Sequence, residues 1–321
     1  MVDAAENRLL TECGPGTPGG SVLRQYWQPA ALSEELVGER PVVVVTLLGE
    51  DLVLFRDELG DLGLVSRWCP HRGVDLSYGR LEDGGLRCVF HGWLFNVLGD
   101  CVETPAEPPQ STLCTRIRLA SYPVLECNGI IWAWMGAGRP PLLPGFDCFI
   151  APAEQVFAFK GMWDCNWLQA HEVGIDPAHA SFLHRFLDTI EDTYGLQFRA
   201  AVADTGIPLT KLMREAGPPR ISAEPTPFGF RMRSLRDYHG QFTHVRISNG
   251  IFPNAITIAM SPTMSITQWH VPIDDVTCYW YSMFVSYGEP VDAAALRAQR
   301  ADAVELPLYR SRVGRDRKSV V

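Results

Sequence analysis

Short apolar runs broken by turn residues dominate the chain from Pro41 onward. Val42 to Leu48, Leu52 to Phe55, Gly63 to Arg67, Leu86 to Phe90 and Leu94 to Asn96 are rich in residues that suit a pleated, half-buried surface. Gly and Asp punctuate them, as at Leu59-Gly60-Asp61 and Leu98-Gly99-Asp100, which is turn composition. The pattern predicts a small antiparallel β domain with Ile130 to Met135 as its last strand. Before it, residues 1–35 carry Gly and Pro breaks and are expected to form a helical lead. After it, Pro140, Pro141 and Pro144 make a stiff connector. Gly229 to Leu235, Thr243 to Ser248, Ala255 to Met260, Ser265 to Val271 and Val276 to Val285 then predict an antiparallel sheet with helices on one face. One helix is expected at about 164–188 and another at Ala293 to Ala303, from its Ala, Leu, Arg and Gln content. The expected fold class is α+β, divided into 1–35 (lead), 36–150 (β domain) and 151–321 (sheet plus helices).

Two loops of the β domain carry metal-ligand chemistry. Cys69-Pro70-His71-Arg72-Gly73 is followed, after a gap of sixteen residues beyond His71, by Cys88-Val89-Phe90-His91-Gly92-Trp93. Thiolate and imidazole together suit zinc or an iron–sulfur centre. Two His in place of two Cys on one iron of a [2Fe–2S] cluster is the Rieske arrangement. Cys-x-His is shorter than the usual zinc pair, and Pro70 stiffens the first loop. Gly73 and Gly92 remove side chains, so backbone N–H groups can point at the sulfurs. A structural zinc site is the alternative reading of these four residues.

Further on, Asp176-Pro177-Ala178-His179 and His184 offer two imidazoles and a carboxylate, the composition of a non-haem Fe(II) facial triad. Asp176 followed by Pro177 also reads as a helix N-cap and first helical residue. His179 and His184 are five apart, which splays them by about 140° on a straight helix. The helix must therefore end or distort if both hold one ion. Histidines that merely satisfy a core or face solvent are the alternative.

With both motifs present, the chain resembles the alpha subunit of Rieske non-haem iron aromatic-ring-hydroxylating oxygenases. Asn166 to His184 is most similar to the phthalate 4,5-dioxygenase and phenoxybenzoate dioxygenase branch. So are Glu6-Asn7-Arg8-Leu9-Leu10, Gly14 to Gly19 and Arg24-Gln25-Tyr26-Trp27-Gln28-Pro29. The resemblance implies that Cys69 and Cys88 hold one iron of the cluster and His71 and His91 the other. It implies that His179 and His184 hold a mononuclear Fe(II), and that Asp176 bridges a Rieske His of a neighbouring subunit to an iron-ligating His. Glu172 matches a supporting carboxylate of the family, and a solvated helix-face charge is its other reading. The implied activity is cis-dihydroxylation or O-demethylation of a small aromatic substrate, with or without a carboxylate, in aromatic catabolism. It draws on O2 and on electrons from an NAD(P)H-dependent flavin/iron–sulfur reductase, in a homotrimer or hexamer. Arg231, Arg233, Arg246 and Lys211 could bind a substrate carboxylate, although alternating Arg also marks a solvated face.

One departure is expected to matter. The branch places its third ligand, an Asp, far downstream, and none is found here. Asp316 sits in the basic end from Tyr309 to Val321 and is not assigned; Asp274 and Asp275 read as turn formers. The catalytic domain is thus expected to be C-terminally truncated. A Rieske-type electron carrier, or an inactive family member retaining only the cluster, is the alternative.

Composition narrows the setting. The formal charge of −9, from 28 basic and 37 acidic residues, argues against a nucleic-acid surface. No apolar run reaches the roughly eighteen residues that span a bilayer, and the acidic start lacks a signal pattern. Of nine Cys, two are candidate thiolate ligands and the other seven are expected as reduced thiols of a cytoplasmic protein. Cys165 stands beside the histidine segment with nothing in the sequence to suggest that it reacts.

Overall fold

The computed structural model describes residues 2–184 and 205–300. These form two units, one from Met1–Leu143 with Pro272–Asp275, the other from Pro144–Val271 with Val276–Val321.

The first unit opens on two short helices, α1 (Ala4–Thr11) and α2 (Pro18–Leu23). Asp3 starts α1 by accepting the Ala5 and Glu6 amides at 2.8 and 2.9 Å, and Glu6 reaches back to the Asp3 amide at 3.0 Å, a capping box. The helical lead ends there, because Gln28–Leu32 is a wholly buried strand, β1. A short, fully buried apolar run has no period to distinguish strand from helix. Nine more strands follow: β2 (Val42–Leu47), β3 (Glu50–Arg56), β4 (Leu62–Ser66), β5 (Arg80–Glu82), β6 (Gly85–Arg87), β7 (Leu94–Asn96), β8 (Cys101–Glu103), β9 (Val124–Cys127) and β10 (Ile130–Ala133). They pair as three sheets, β1-β10-β9, β2-β3-β4 and β5-β6-β7-β8. Arg24 ties the lead to β3, reaching Glu50 Oε1 and the Leu48 carbonyl, both at 2.8 Å. Val53, Phe55, Val65, Leu76, Leu86, Trp93 and Phe95 fill the core, together with Cys69, Cys88 and Cys101. The strand expected from Leu86 to Phe90 stops at Arg87, since Cys88 begins a turn.

The second unit is built on a seven-stranded sheet in the order β11-β17-β16-β15-β14-β13-β12. Its strands are β11 (Val156–Trp163), β12 (Arg220–Thr226), β13 (Gly229–Tyr238), β14 (Phe242–Ile251), β15 (Ala255–Ser261), β16 (Met264–Pro272) and β17 (Cys278–Ser286). Helix α3 (Asp147–Ile150) precedes β11, and α4 (Trp167–Ile175) packs on β15 and β17. The helix expected over 164–188 is shorter than that. Asp176 is extended at φ −67°, ψ 115°, as a residue before Pro prefers, and α4 stops. A 3₁₀ turn, His179–Ser181, replaces its continuation; residues 185–188 lie outside the described residues. No helix is long and apolar enough to cross a membrane, among the described residues.

Candidate functional site

The first unit presents two turns of the same design. The Gly73 amide donates to the Cys69 carbonyl at 2.8 Å, and the Cys69 amide donates to Val74 at 2.8 Å. In the second turn the Gly92 amide donates to Cys88 at 3.0 Å, and the Cys88 amide to Trp93 at 2.8 Å. Gly73 and Gly92 both have left-handed backbones, at φ +66° and +75°, a conformation that favours glycine. Each turn therefore holds its Cys inward and its His outward two or three residues later. Cys69 and Cys88 are each only 2% exposed and belong to the same buried cluster. The His71 and His91 rings lie 4.4 Å apart, and His71 stacks on Trp93 at 4.6 Å.

The donor set fits a Rieske cluster. Burial pushes the Cys69 thiol up to about 11, although the backbone amides of His71 and Arg72 point at its sulfur. A thiolate held there needs cationic metal beside it. His71 Nδ1 is buried without a hydrogen-bond partner, which is unusual for a polar atom unless a ligand takes it. Arg87 braces the second turn by donating to the Gly92 carbonyl at 2.8 Å, while Glu103 holds its guanidinium at 2.6 Å. Among the described residues no three His, Cys, Asp or Glu side chains converge as a metal-ion group. The quartet instead offers donors in pairs, as two irons require.

In the second unit the break after α4 brings two distant histidines together. Asp176 accepts the Ala178 amide at 2.7 Å and the His179 amide at 3.0 Å. It thus ends α4 and caps the next turn at once. The Leu183 amide bonds to the His179 carbonyl at 2.8 Å, and the tightened turn sets His179 Nε2 opposite His184 Nε2 at 2.9 Å. Two imidazole nitrogens about 2.1 Å from one ion and at right angles to each other lie about 3 Å apart, so this pair fits a single metal. Burial holds both imidazoles below their usual range, His184 down to about 3, and a metal takes the neutral ring. His179 Nδ1 stands 3.7 Å from Asp176 Oδ2. Arg236, only 1% exposed, locks the turn from β13 through the Pro177 carbonyl at 2.7 Å and Ser181 Oγ at 3.4 Å.

His179 and His184 face a cavity of about 130 Å³ walled by Trp163, Ile258, Met260, Ile266 and Trp280, with Asp176, Arg246, Ser248 and Gln268 as its polar lining. That is close to the roughly 150 Å³ that accommodates one benzene ring. Arg246 donates to the Ala259 carbonyl at 3.0 Å and to Met260 Sδ at 3.7 Å, and it has no carboxylate partner among the described residues. Burial and the neighbouring Arg236 bring its pKa down to about 10, so it stays cationic at neutral pH.

Other expected residues stand elsewhere. Glu172 is exposed on α4 and does not line the cavity. Arg231 and Arg233 pair with Glu224 at 3.6 and 2.6 Å, and Lys211 lies on a separate short helix, Leu209–Glu215. Asp275 accepts the Cys13 amide at 2.8 Å; Asp316 lies outside the described residues. Two features escaped the sequence reading. One is Arg236, which the two-residue alternation from Met232 through Ser234 puts on the buried face of β13. The other is the contact of His171 Nδ1 with His270 Nδ1 at 3.3 Å under α4, which no local pattern could reveal because the two are ninety-nine positions apart.

Comparison with known proteins converges on the same chemistry. Residues 26–123 match the Rieske [2Fe-2S] domain, and residues 134–305 match the LigXa C-terminal domain like family. A tert-butanol monooxygenase / tert-amyl alcohol desaturase oxygenase subunit of Aquincola tertiaricarbonis is 37% identical over 85% of this chain and 58% of that protein. The phthalate 4,5-dioxygenase oxygenase subunit of Pseudomonas putida is 35% identical over 90% of this chain and 65% of that protein. The chain thus spans about three fifths of the length of the curated relatives it matches. Dicamba monooxygenase bound to dicamba shares the fold, with a TM-score of 0.64 at 22% identity over 88% of this chain and 84% of that one. With a Rieske [2Fe–2S] domain followed by a LigXa-type domain over more than half its length, the chain belongs to the Rieske oxygenase subunits.

Proposed function

We propose that this chain is the oxygenase component of a system that hydroxylates or O-demethylates a small aromatic substrate bearing a carboxylate. The observation that carries the reading is the facing pair His179 and His184 at the end of a ring-sized cavity that also holds Arg246, which has no carboxylate partner among the described residues. Cys69, Cys88, His71 and His91 would hold the [2Fe–2S] cluster, and His179 and His184 a mononuclear Fe(II). When bound, these groups supply stored electrons and O2 activation. Trp163, Trp280 and the aliphatic walls would seat the ring and exclude water. Arg246 would take the carboxylate in a charge-assisted bond, which favours an acidic aromatic over a neutral alcohol. Asp176 would fix the orientation of His179, and the resemblance extends this to a bridge toward a Rieske His of a neighbouring copy. Glu172 would act only through the helix, given its exposure. Electrons would come from an NAD(P)H-dependent flavin/iron–sulfur reductase in the cytoplasm, to a homotrimer or hexamer. The working boundaries are 36–150 for the cluster domain and 151–321 for the catalytic domain. An electron carrier needs no second unit with a histidine pair, so the carrier reading is set aside.

The test is EPR of the dithionite-reduced protein together with iron per chain. A Rieske-type rhombic signal with about three irons, falling by about one in His179→Ala and again in His184→Ala with the signal intact, is the expected result. A full-length signal with identical iron in the variants overturns the mononuclear assignment; bound zinc without a signal overturns the cluster.

A further inference from the structure

Two further thiols meet in the first unit, outside the Cys and His quartet. Cys101 opens β8, and Cys114 opens a 3₁₀ turn, Cys114–Arg116. The Cys101 amide donates to the Ile117 carbonyl at 3.3 Å, which holds the turn against the strand. Cys114 Sγ lies 3.7 Å from Cys101 Sγ, and its thiol donates to the Cys101 carbonyl at 2.8 Å. The Cys101 thiol donates in turn to the Glu103 carbonyl at 3.6 Å. Cys101 is 7% exposed and sits in the core, whereas Cys114 is only partly buried at its edge. Sulfurs in a disulfide stand about 2.05 Å apart. From 3.7 Å, each sulfur has less than about 1 Å to travel, which a modest χ1 rotation supplies. The segment between the two cysteines gives the pair its role. Residues 102–113 carry Pro105, Pro108 and Pro109. Pro105 packs on the Cys88–Trp93 turn, where a Cβ at Gly92 would come within 2.8 Å of its Cγ. Glu103 holds Arg87, which donates to the Gly92 carbonyl. The enclosed loop is thus one wall of that turn.

We propose that Cys101 and Cys114 form a thiol–disulfide clasp that locks the 102–113 loop over the Cys88–Trp93 turn under oxidising conditions, with Cys114 as the attacking and Cys101 as the resolving sulfur. The oxidant is a small-molecule disulfide of the glutathione type. Cys114, the more accessible sulfur, gives up its proton and attacks one sulfur of that disulfide. The small S–S bond breaks, and one small thiol leaves with the proton. Cys101 then attacks the Cys114 sulfur of the mixed disulfide, forming the Cys101–Cys114 bond. The second small thiol leaves with the Cys101 proton. The two protein sulfurs have lost two electrons and the small disulfide has gained them. Closing the loop removes conformational freedom from the unfolded chain, so the oxidised form holds the loop and the turn beneath it more firmly. The exchange needs neither metal; only its consequence for iron retention rests on the cluster reading.

The test uses the reduced full chain equilibrated in glutathione buffers of rising oxidised fraction. Peptide mapping should find one disulfide, joining Cys101 to Cys114, reversed by dithiothreitol. The oxidised form should melt about 5–10 °C higher in the transition of the first unit and release iron to a chelator more slowly. Cys101→Ala should stop at a glutathione adduct on Cys114, and Cys114→Ala should take up none at Cys101. Mapping of the unaltered chain decides the question even where a variant does not fold. No disulfide at any buffer composition, or one that engages Cys69 or Cys88 instead, overturns the proposal. An adduct on Cys101 once Cys114 is replaced overturns the order of attack, and an unchanged melting transition overturns the clasp. A chain that forms the disulfide yet holds no iron supports the clasp and sinks the cluster reading alone.

Discussion

At Gly174 the lack of a side chain lets α4 lie against the sheet. A Cβ there would sit 2.6 Å from Ile256 Cδ1 and 3.1 Å from His270 Cε1. Ile256 can turn aside, but the His270 ring is fully buried and has nowhere to go. Gly174→Val is expected to lower stability by about 1–3 kcal/mol through overpacking, read as a lower urea midpoint at unchanged m-value. It should also weaken iron retention, since the same helix leads into Asp176. Single residues were legible where a motif is local. Cys69, His71, Cys88 and His91 lie on two tight turns whose chemistry is written in five or six consecutive letters. Arg246 could not be separated from Arg231 and Arg233 by sequence, because what distinguishes them is Glu224 on β12, and strand pairing is not a local property.

Among the elements, α4 carries its own pH sensitivity. His171 and His270 meet beneath it, and burial holds His171 down to about 4 and His270 well below its usual value. Above about pH 6.5 both are neutral in either state, and stability is full. As pH falls below that, the unfolded chain takes up protons that the folded chain refuses. Stability is then lost by up to about 1.4 kcal/mol per pH unit for each histidine, for His171 until about pH 4. Denaturation series between pH 7 and 4.5 should show a shallower decline in His171→Asn than in the parent; equal slopes would refute the assignment. The sheet strands were readable where one face is buried and the other wet, as in β13 and β14. They were not readable at the edges. β11 is buried on both faces for most of its length, and β12 is largely exposed and carries Pro225, so neither alternates. The end of α4 is hidden in the sequence because Asp176 does two jobs, and Asp-Pro on its own reads only as a beginning.

For the molecule as a whole, each unit has its own support. In the first, Cys69 and Cys88, the two thiols proposed to hold the cluster, belong to the core itself, packed with Val53, Phe55, Leu86 and Trp93. Metal bound there is folding free energy. Stripping the cluster with reductant and chelator should lower or abolish one calorimetric transition and leave the second in place. A parallel loss of both would show that the units do not melt separately. The order of a β domain followed by sheet plus helices was legible in the change of pattern at the proline connector. Less legible was the assignment of Pro272–Asp275 to the first unit, which depends on the Leu48 and Gly49 amides bonding to Pro272 and Ile273 at 3.0 and 2.8 Å.

The pleat of the large sheet has one more consequence. Arg246, Ser248, Ile258, Met260, Ile266 and Gln268 look into the histidine cavity, whereas Ile247, Asn249, Ile251, Thr257 and Ala259 line a cleft of about 500 Å³. Successive residues of a strand face opposite ways, so the two linings are interleaved letter by letter. Inserting or deleting one residue early in β14 would turn the chamber inside out, trading its guanidinium for Val245 or Ile247. Point substitutions can therefore retune this chamber for new substrates, while its reading frame along the strand cannot drift at all.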